Sequence, residues 1–114
     1  MNLLIVAVAD EEYVDDFLAA LVDLDVNGLE VVDSSTVMEI LAQDAPIFAG
    51  LRQLMSRPKA AGKLILGVTA EDDILQRLDK LLKRLDLDLS DPGTGYALLL
   101  PVTDWLGDLD LGEE

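Results

Sequence analysis

Apolar residues fall into two kinds of run along this chain. Leu3 to Ala9 (LLIVAVA) is continuous and rich in Val and Ile, the pattern of a strand buried on both faces. Asp10 follows where a helix N-cap belongs, and Glu11 and Glu12 occupy a first turn in which the helix dipole favours anions. Val14, Phe17, Leu18, Leu21 and Val22 then recur at helical spacing and make one apolar stripe. Asn27-Gly28 reads as the helix end, because Gly is the preferred residue for a left-handed cap. Leu29 to Val32 reads as a second strand.

Residues 33 to 63 do not fit either run. Ser34-Ser35-Thr36 is polar, and Val37 to Leu41 is apolar with one acid, Glu39. Asp44-Ala45-Pro46 has the form of a helix start, with Pro46 at the first helical position. Ile47, Phe48, Leu51, Leu54 and Met55 make a short amphipathic stripe, and Arg57 to Gly62 is a turn-rich basic exit. The first pattern then repeats. Leu64 to Val68 predicts a strand, and Thr69 with Asp72 predicts the cap of a helix carrying Ile74, Leu75, Leu78, Leu81, Leu82 and Leu85. Lys80, Lys83 and Arg84 suit the C-terminal end of that helix. After a loop from Asp86 to Gly95, Tyr96 to Val102 predicts a last strand with Pro101 near its end. Asp104 to Glu114 reads as a loosely ordered acidic tail.

The order strand, helix, strand, excursion, strand, helix, strand is that of an α+β, ferredoxin-like antiparallel sheet, βαββαβ. Right-handed crossovers place both helices on one face. The expected division is a domain over 1–103, an excursion over 36–62 and a tail over 104–114. The first and last strands are apolar on both faces, whereas two helices cover one. The other face needs a partner, and another copy of the chain is the simplest.

Composition narrows the function. The 114 residues suit one domain. A net charge of −15 opposes nucleic acids and anionic lipid, whose binding relies on phosphate neutralisation. No segment has the length of uncharged apolar sequence that a membrane helix needs, and the N-terminal run lacks the basic flank of a signal peptide, so the expected location is the cytoplasm. The chain has neither His nor Cys, which excludes disulfides, Cys/His zinc sites, thiol nucleophiles and Ser-His-Asp triads. Catalysis is not expected, and neither is a resident metal.

Candidate sites each have a simpler reading beside the functional one. Asp86, Asp88, Ser90 and Asp91 begin like a calcium loop, but its sixth position is Asp91 instead of Gly and its twelfth is Ala97 instead of Glu, so a solvated loop is expected. Asp91-Pro92-Gly93-Thr94-Gly95 is either a tight turn or a place where a ligand approaches the backbone. It precedes a strand and lacks lysine, which excludes a Walker loop. Asp10, Glu11 and Glu12 are explained by capping, and Asp15, Asp16 and Asp23 by a solvated helix face. Trp105 either stacks on a base or pins the tail.

The layout resembles the PII superfamily of nitrogen-regulatory signalling proteins, from Leu3 to about Val102. Asn27 to Ser35 (NGLEVVDSS) resembles the segment leading into that family's T-loop, Thr36 to Gly62 sits where the T-loop sits, and Asp91 to Tyr96 with Leu100-Pro101-Val102 is similar to the B-loop and final strand. The resemblance implies a homotrimer with sheets turned to the centre and an adenine-nucleotide effector site between subunits. It also implies that the T-loop contacts a target protein, a transporter or an enzyme. Ser34, Ser35, Thr36, Gly93, Thr94 and Gly95 would bind the ligand, and Phe48, Leu51 and Arg52 the partner. The chain departs from the family at three places. Thr36-Val37-Met38-Glu39 stands where a Gly-rich, Arg-bearing stretch is usual, Tyr96 where the B-loop lysine is usual, and Thr103 to Gly107 where arginines are usual. A divergent member with a small, weakly charged ligand is therefore expected. The alternatives are a ligand-independent interaction module and a trimer of the divalent-cation-tolerance type, the latter opposed by the missing His and Cys.

Overall fold

The computed structural model describes residues 1–44 and 62–109. The elements are β1 (Asn2–Val8), a 3-10 turn (Glu11–Tyr13), α1 (Val14–Asp23), β2 (Asn27–Ser34), α2 (Val37–Asp44), β3 (Gly62–Thr69), α3 (Ile74–Arg84) and β4 (Gly95–Pro101). The strands form one sheet in the order β2-β3-β1-β4, with each neighbouring pair antiparallel. This is the ferredoxin-like α+β arrangement expected from the order of elements.

β1 is central and sets the two faces. Leu4, Val6 and Val8 are buried, whereas Leu3, Ile5 and Ala7 are only half-buried. The buried set meets Phe17, Ala20 and Leu21 of α1, Ile65 of β3, and Ile74, Leu78 and Leu82 of α3 in one core. Each such side chain contributes about 1.5–3 kcal/mol on burial, so this layer carries the fold. The unbroken apolar run at 3–9 thus becomes a strand with one face packed and one face open. Register places Leu64, Leu66 and Val68 of β3 and Tyr96, Leu98 and Leu100 of β4 beside Leu3, Ile5 and Ala7 on the open side.

The first helix starts later than its cap. Asp10 does cap, its Oδ1 accepting from the Glu12 N–H at 3.0 Å, but the turn it caps is 3-10, and α1 begins at Val14. Val22, expected on the apolar stripe, is exposed, and Ala20 takes the inward position. Thr69 and Asp72 do not cap α3 together. The Thr69 Oγ1 accepts from the Glu71 N–H at 3.0 Å, and the Asp72 Oδ1 accepts from the Asn2 Nδ2 at 2.9 Å, tying β1 to the turn before α3.

Asn27-Gly28 does not end α1. The residue in the left-handed conformation is Asp25, at φ 59°. The Asp25 N–H donates to Val22 O and the Val26 N–H to Leu21 O, each at 3.1 Å, which is a Schellman ending. Gly28, at φ 62°, instead lies inside β2, where Gly28 and Leu29 oppose the single residue Gly67 as a bulge. α3 ends the same way. Asp86 is at φ 61°, its N–H donating to Lys83 O at 3.1 Å, and the Leu87 N–H donates to Leu82 O at 2.9 Å. Leu24-Asp25-Val26 and Leu85-Asp86-Leu87 are therefore equivalent, and Val26 and Leu87 are both buried.

The stretch after β2 holds a helix that the apolar pattern did not indicate. Thr36 and Glu39 form a reciprocal capping box for α2: Thr36 Oγ1 accepts from the Glu39 N–H at 3.1 Å, and Glu39 Oε2 accepts from the Thr36 N–H at 3.3 Å. Asp44, expected to open a helix, is the last residue of α2. Ile47 to Met55, with Phe48, Leu51 and Arg52, lies outside the described residues.

An aspartate at a left-handed cap bears Cβ strain, and here it also sets an anion at the negative end of a helix. Asp25→Gly and Asp86→Gly are each expected to stabilise the chain by about 0.5–1 kcal/mol, since the relief exceeds the added entropy of the unfolded chain. Urea unfolding of the two variants checks this; a loss of stability in both would refute the cap assignment.

Candidate functional site

One end of the sheet gathers most of the expected ligand residues. Ser34, the last residue of β2, pairs with Gly62 at the start of β3. A Cβ at Gly62 would lie 3.1 Å from the Val8 carbonyl oxygen and 3.2 Å from the Ser34 Oγ, so β2, β3 and the end of β1 converge closely. Val8 pairs with Gly95 across β4, and the Ala9 N–H donates to Thr94 O at 3.1 Å.

The Asp91–Gly95 loop is a tight turn. The Thr94 N–H donates to Asp91 O at 3.3 Å, with Pro92 and Gly93 between them and Gly93 at φ 85°, the form of a type II turn. Its two glycines serve different ends. A Cβ on Gly95 would fall 1.8 Å from the Ala7 carbonyl oxygen, so Gly95 is required for β4 to reach β1. Gly93 has nothing within 4 Å of where a Cβ would be, so its backbone is open to solvent. Thr94 is buried, whereas Ser35 and Thr36 are exposed.

Ser34–Thr36 and Gly93–Gly95 stand at the same end of the sheet but on opposite edge strands. β3 and β1 lie between them, a separation of roughly 14 Å at the usual strand spacing. Within one chain the two segments flank the sheet end without meeting. A cleft walled by both needs the β2 edge of one copy against the β4 edge of another.

Lys63 is a described cation at this end. Its Nζ donates to the Asp33 Oδ1 in a short contact and lies 4.0 Å from the Glu11 Oε1. The Asp33 hydrogen bond, and then the charges of Asp33 and Glu11, hold the Lys63 ammonium above the ordinary lysine range against partial desolvation. Two carboxylates thus already occupy this lysine. Just past the C-terminal end of α3, the Ser90 Oγ and N–H both donate to the Asp88 Oδ1, at 2.7 and 2.9 Å, and hold its carboxyl below the usual range. Asp86 is the helix cap and Asp88 the acceptor of a local turn, so both have structural roles.

A second feature covers the side of the sheet away from the helices. Leu3, Ile5, Ala7, Leu64, Leu66, Val68, Tyr96, Leu98 and Leu100 form it, with Val32 and Glu30 from β2. Tyr96, Leu98 and Leu100 are 53%, 49% and 41% exposed, and Val32 is 43%. Near the start of β1 the face holds an open cleft of about 420 Å³ lined by Leu3, Glu30, Leu66, Val68, Asp108 and Leu109 among others. The exposed β4 side chains alternate in sequence with core positions, so this surface was legible from the apolar strands.

No family model matches the chain, and no curated protein matches it in sequence. Among solved structures, Arabidopsis thaliana PII bound to citrate is similar to it, with a TM-score of 0.50 at 15% identity over 89% of this chain and 76% of that chain. At that identity the likeness concerns the fold: a four-stranded antiparallel sheet with its helices, of the PII kind. Among the described residues, no helix is long and apolar enough to cross a membrane.

The Lys63 pair carries a pH signature. A lysine whose ammonium is favoured in the fold adds stability that is fully present below its unfolded pKa and is lost as pH rises through the folded one. Between neutral pH and pH about 12, the wild type should therefore lose more stability than Asp33→Asn, in which the Lys63 ammonium moves back toward its ordinary range. Side-chain NMR titration of Lys63 and unfolding at the two pH values check this; equal losses would count against the pairing.

Proposed function

We propose that the chain is a PII-like, non-enzymatic regulator that assembles as a homotrimer through the open face of its sheet. It takes a small, weakly charged effector in clefts between copies, with an adenine nucleotide the first candidate. Ser34, Ser35 and Thr36 of one copy and Gly93, Thr94 and Gly95 of the next would wall each cleft. The 36–62 excursion, with Phe48, Leu51 and Arg52, would present the ligand state to a target protein.

The observation that carries this reading is the apolar face that the described residues leave largely uncovered. Monomers rarely leave so contiguous an apolar surface in water, and a sheet of this fold offers it symmetrically to its own copies. The likeness to a PII structure points the same way. The opposite-edge placement of the two ligand segments adds support, because only a second copy brings them together. Effector charge is read from Lys63: this described cation is already paired with Asp33 and Glu11, which favours a weakly charged ligand over a chain of phosphates. The plant PII structure contains citrate; a tricarboxylate is a poor match to this acid-rich end.

Light scattering at micromolar concentration should give a trimer, and added salt should stabilise it, since three copies would carry −45. A stable monomer throughout would sink the reading. A thermal-shift series of adenosine, AMP, cyclic AMP, ADP, ATP and citrate should show its largest shift among the first three. An effector at a hundred times its Kd adds about 2.7 kcal/mol, which is visible in a melt. Ser35→Phe, at an exposed position outside the α2 cap, should remove the shift and leave the trimer. Gly93 is a poor site for such a block, because at φ 85° any side chain strains the turn. No shift with any compound up to millimolar concentration would leave assembly without an effector.

A further inference from the structure

We propose that Thr103–Leu109 is an intersubunit arm whose Trp105 and Leu106 pack on the open sheet face of a second copy. The proposal rests on the assembly reading and deepens it by naming residues outside the sheet that complete the interface.

The segment is held at both ends. The Val102 N–H donates to Met1 O at 2.9 Å, so the chain leaves the sheet locked against β1. The Asp104 Oδ1 accepts from the Trp105 N–H at 2.9 Å, and Gly107 turns the backbone at φ 102°. Asp108 and Leu109 then line the cleft with Leu3, Leu66, Val68 and Glu30. These are open-face residues of β1, β3 and β2, so the segment runs from the β4 edge across the open face toward β2. Seven extended residues reach roughly 23 Å, enough for that crossing.

Its inner and outer sides differ. Leu109 is half-buried against the cleft, whereas Leu106 is 102% exposed and Trp105 49%. An anchored segment that leaves a leucine fully exposed and a tryptophan half-exposed offers both to a partner. Charge decides what. Asp104 and Asp108 flank the pair in a chain of net charge −15, which disfavours anionic lipid and nucleic acid. The open face is apolar, and Glu30 is the one charged side chain among its described strand positions. A second copy's open face, the surface that the proposed trimer buries, therefore meets the arm with Glu30 as the one charged residue among its described strand positions.

Trp105 is the chain's single tryptophan, so its emission reports on the arm alone. As concentration rises through the assembly range seen by light scattering, emission should shift to shorter wavelength and acrylamide quenching should fall. Leu106→Asp and Trp105→Ser should each raise the dissociation constant by about tenfold or more, as anchor residues do, and leave the melt of the dilute monomer unchanged. Val22→Asp, an equal charge change at an exposed position of α1, should leave association as it was. Assembly with Trp105 still open to quencher and both variants associating normally would overturn the arm while leaving the trimer standing. A tryptophan shielded equally at every dilution would overturn it too, by showing that the arm folds onto its own sheet. A chain that never associates removes the arm and the trimer together.

Discussion

The structure depends on an inequality of cover. A four-stranded sheet apolar on both sides has α1 and α3 on one side alone. Close packing is complete where Leu4, Val6 and Val8 meet Phe17, Leu21, Leu78 and Leu82, and Leu3, Ile5 and Ala7 on the same strand stay half-wet. Every functional statement about the chain follows from that remainder. In the proposed assembly a second copy covers it and brings Ser34–Thr36 and Gly93–Gly95 into one cleft.

Charge placement works with the same geometry. The acids crowd the helices, loops and sheet ends: Asp15, Asp16 and Asp23 on α1, Glu71 to Asp73 before α3, and Asp86, Asp88 and Asp91 after it. Like charges on those surfaces oppose non-specific self-association. With Glu30 as its charged strand residue, the open face is where repulsion is weakest and apolar gain largest. In the proposed assembly, acidity elsewhere makes contact between copies specific to one surface. It also leaves the sheet end with a lysine already bound by Asp33 and Glu11, in keeping with the weakly charged effector proposed.

Much of this was legible in the residues. Strands β1 and β4 and helices α1 and α3 follow from apolar periodicity, and the bare sheet face follows from counting helices against apolar strand faces. The end of α1 was misplaced because glycine was expected at the left-handed position, which Asp25 occupies, as Asp86 does after α3. Their signal was the repeated Leu-Asp-apolar triplet at 24–26 and 85–87. Helix α2 was not expected although its capping box, Thr36-x-x-Glu39, is written in the sequence, because Val37 to Leu41 is a short apolar run without a clear helical stripe. Gly95 shows the opposite limit. A Gly-rich loop reads alike whether glycine serves a ligand or a neighbouring strand, and only the 1.8 Å approach to Ala7 O tells which. Phe48, Leu51 and Arg52 lie outside the described residues.

The central position of β1 has a consequence for how the chain is made. Its partners are β3 and β4, so Leu3 to Ala9 pairs on one side with residues 62–69 and on the other with residues 95–101. At cellular synthesis rates the gap between β1 and β4 is on the order of ten seconds. Until residues 62–69 emerge the most apolar run of the molecule has no strand to pair with, until 95–101 emerge one of its edges stays open, and contacts so distant in sequence close slowly once they become available. The run is also short, β-prone and uncharged, the composition that aggregates when left unpaired. Asp10, Glu11 and Glu12, set directly behind it, are gatekeepers for the nascent chain: three carboxylates that hinder strand-to-strand stacking until residue 101 has emerged.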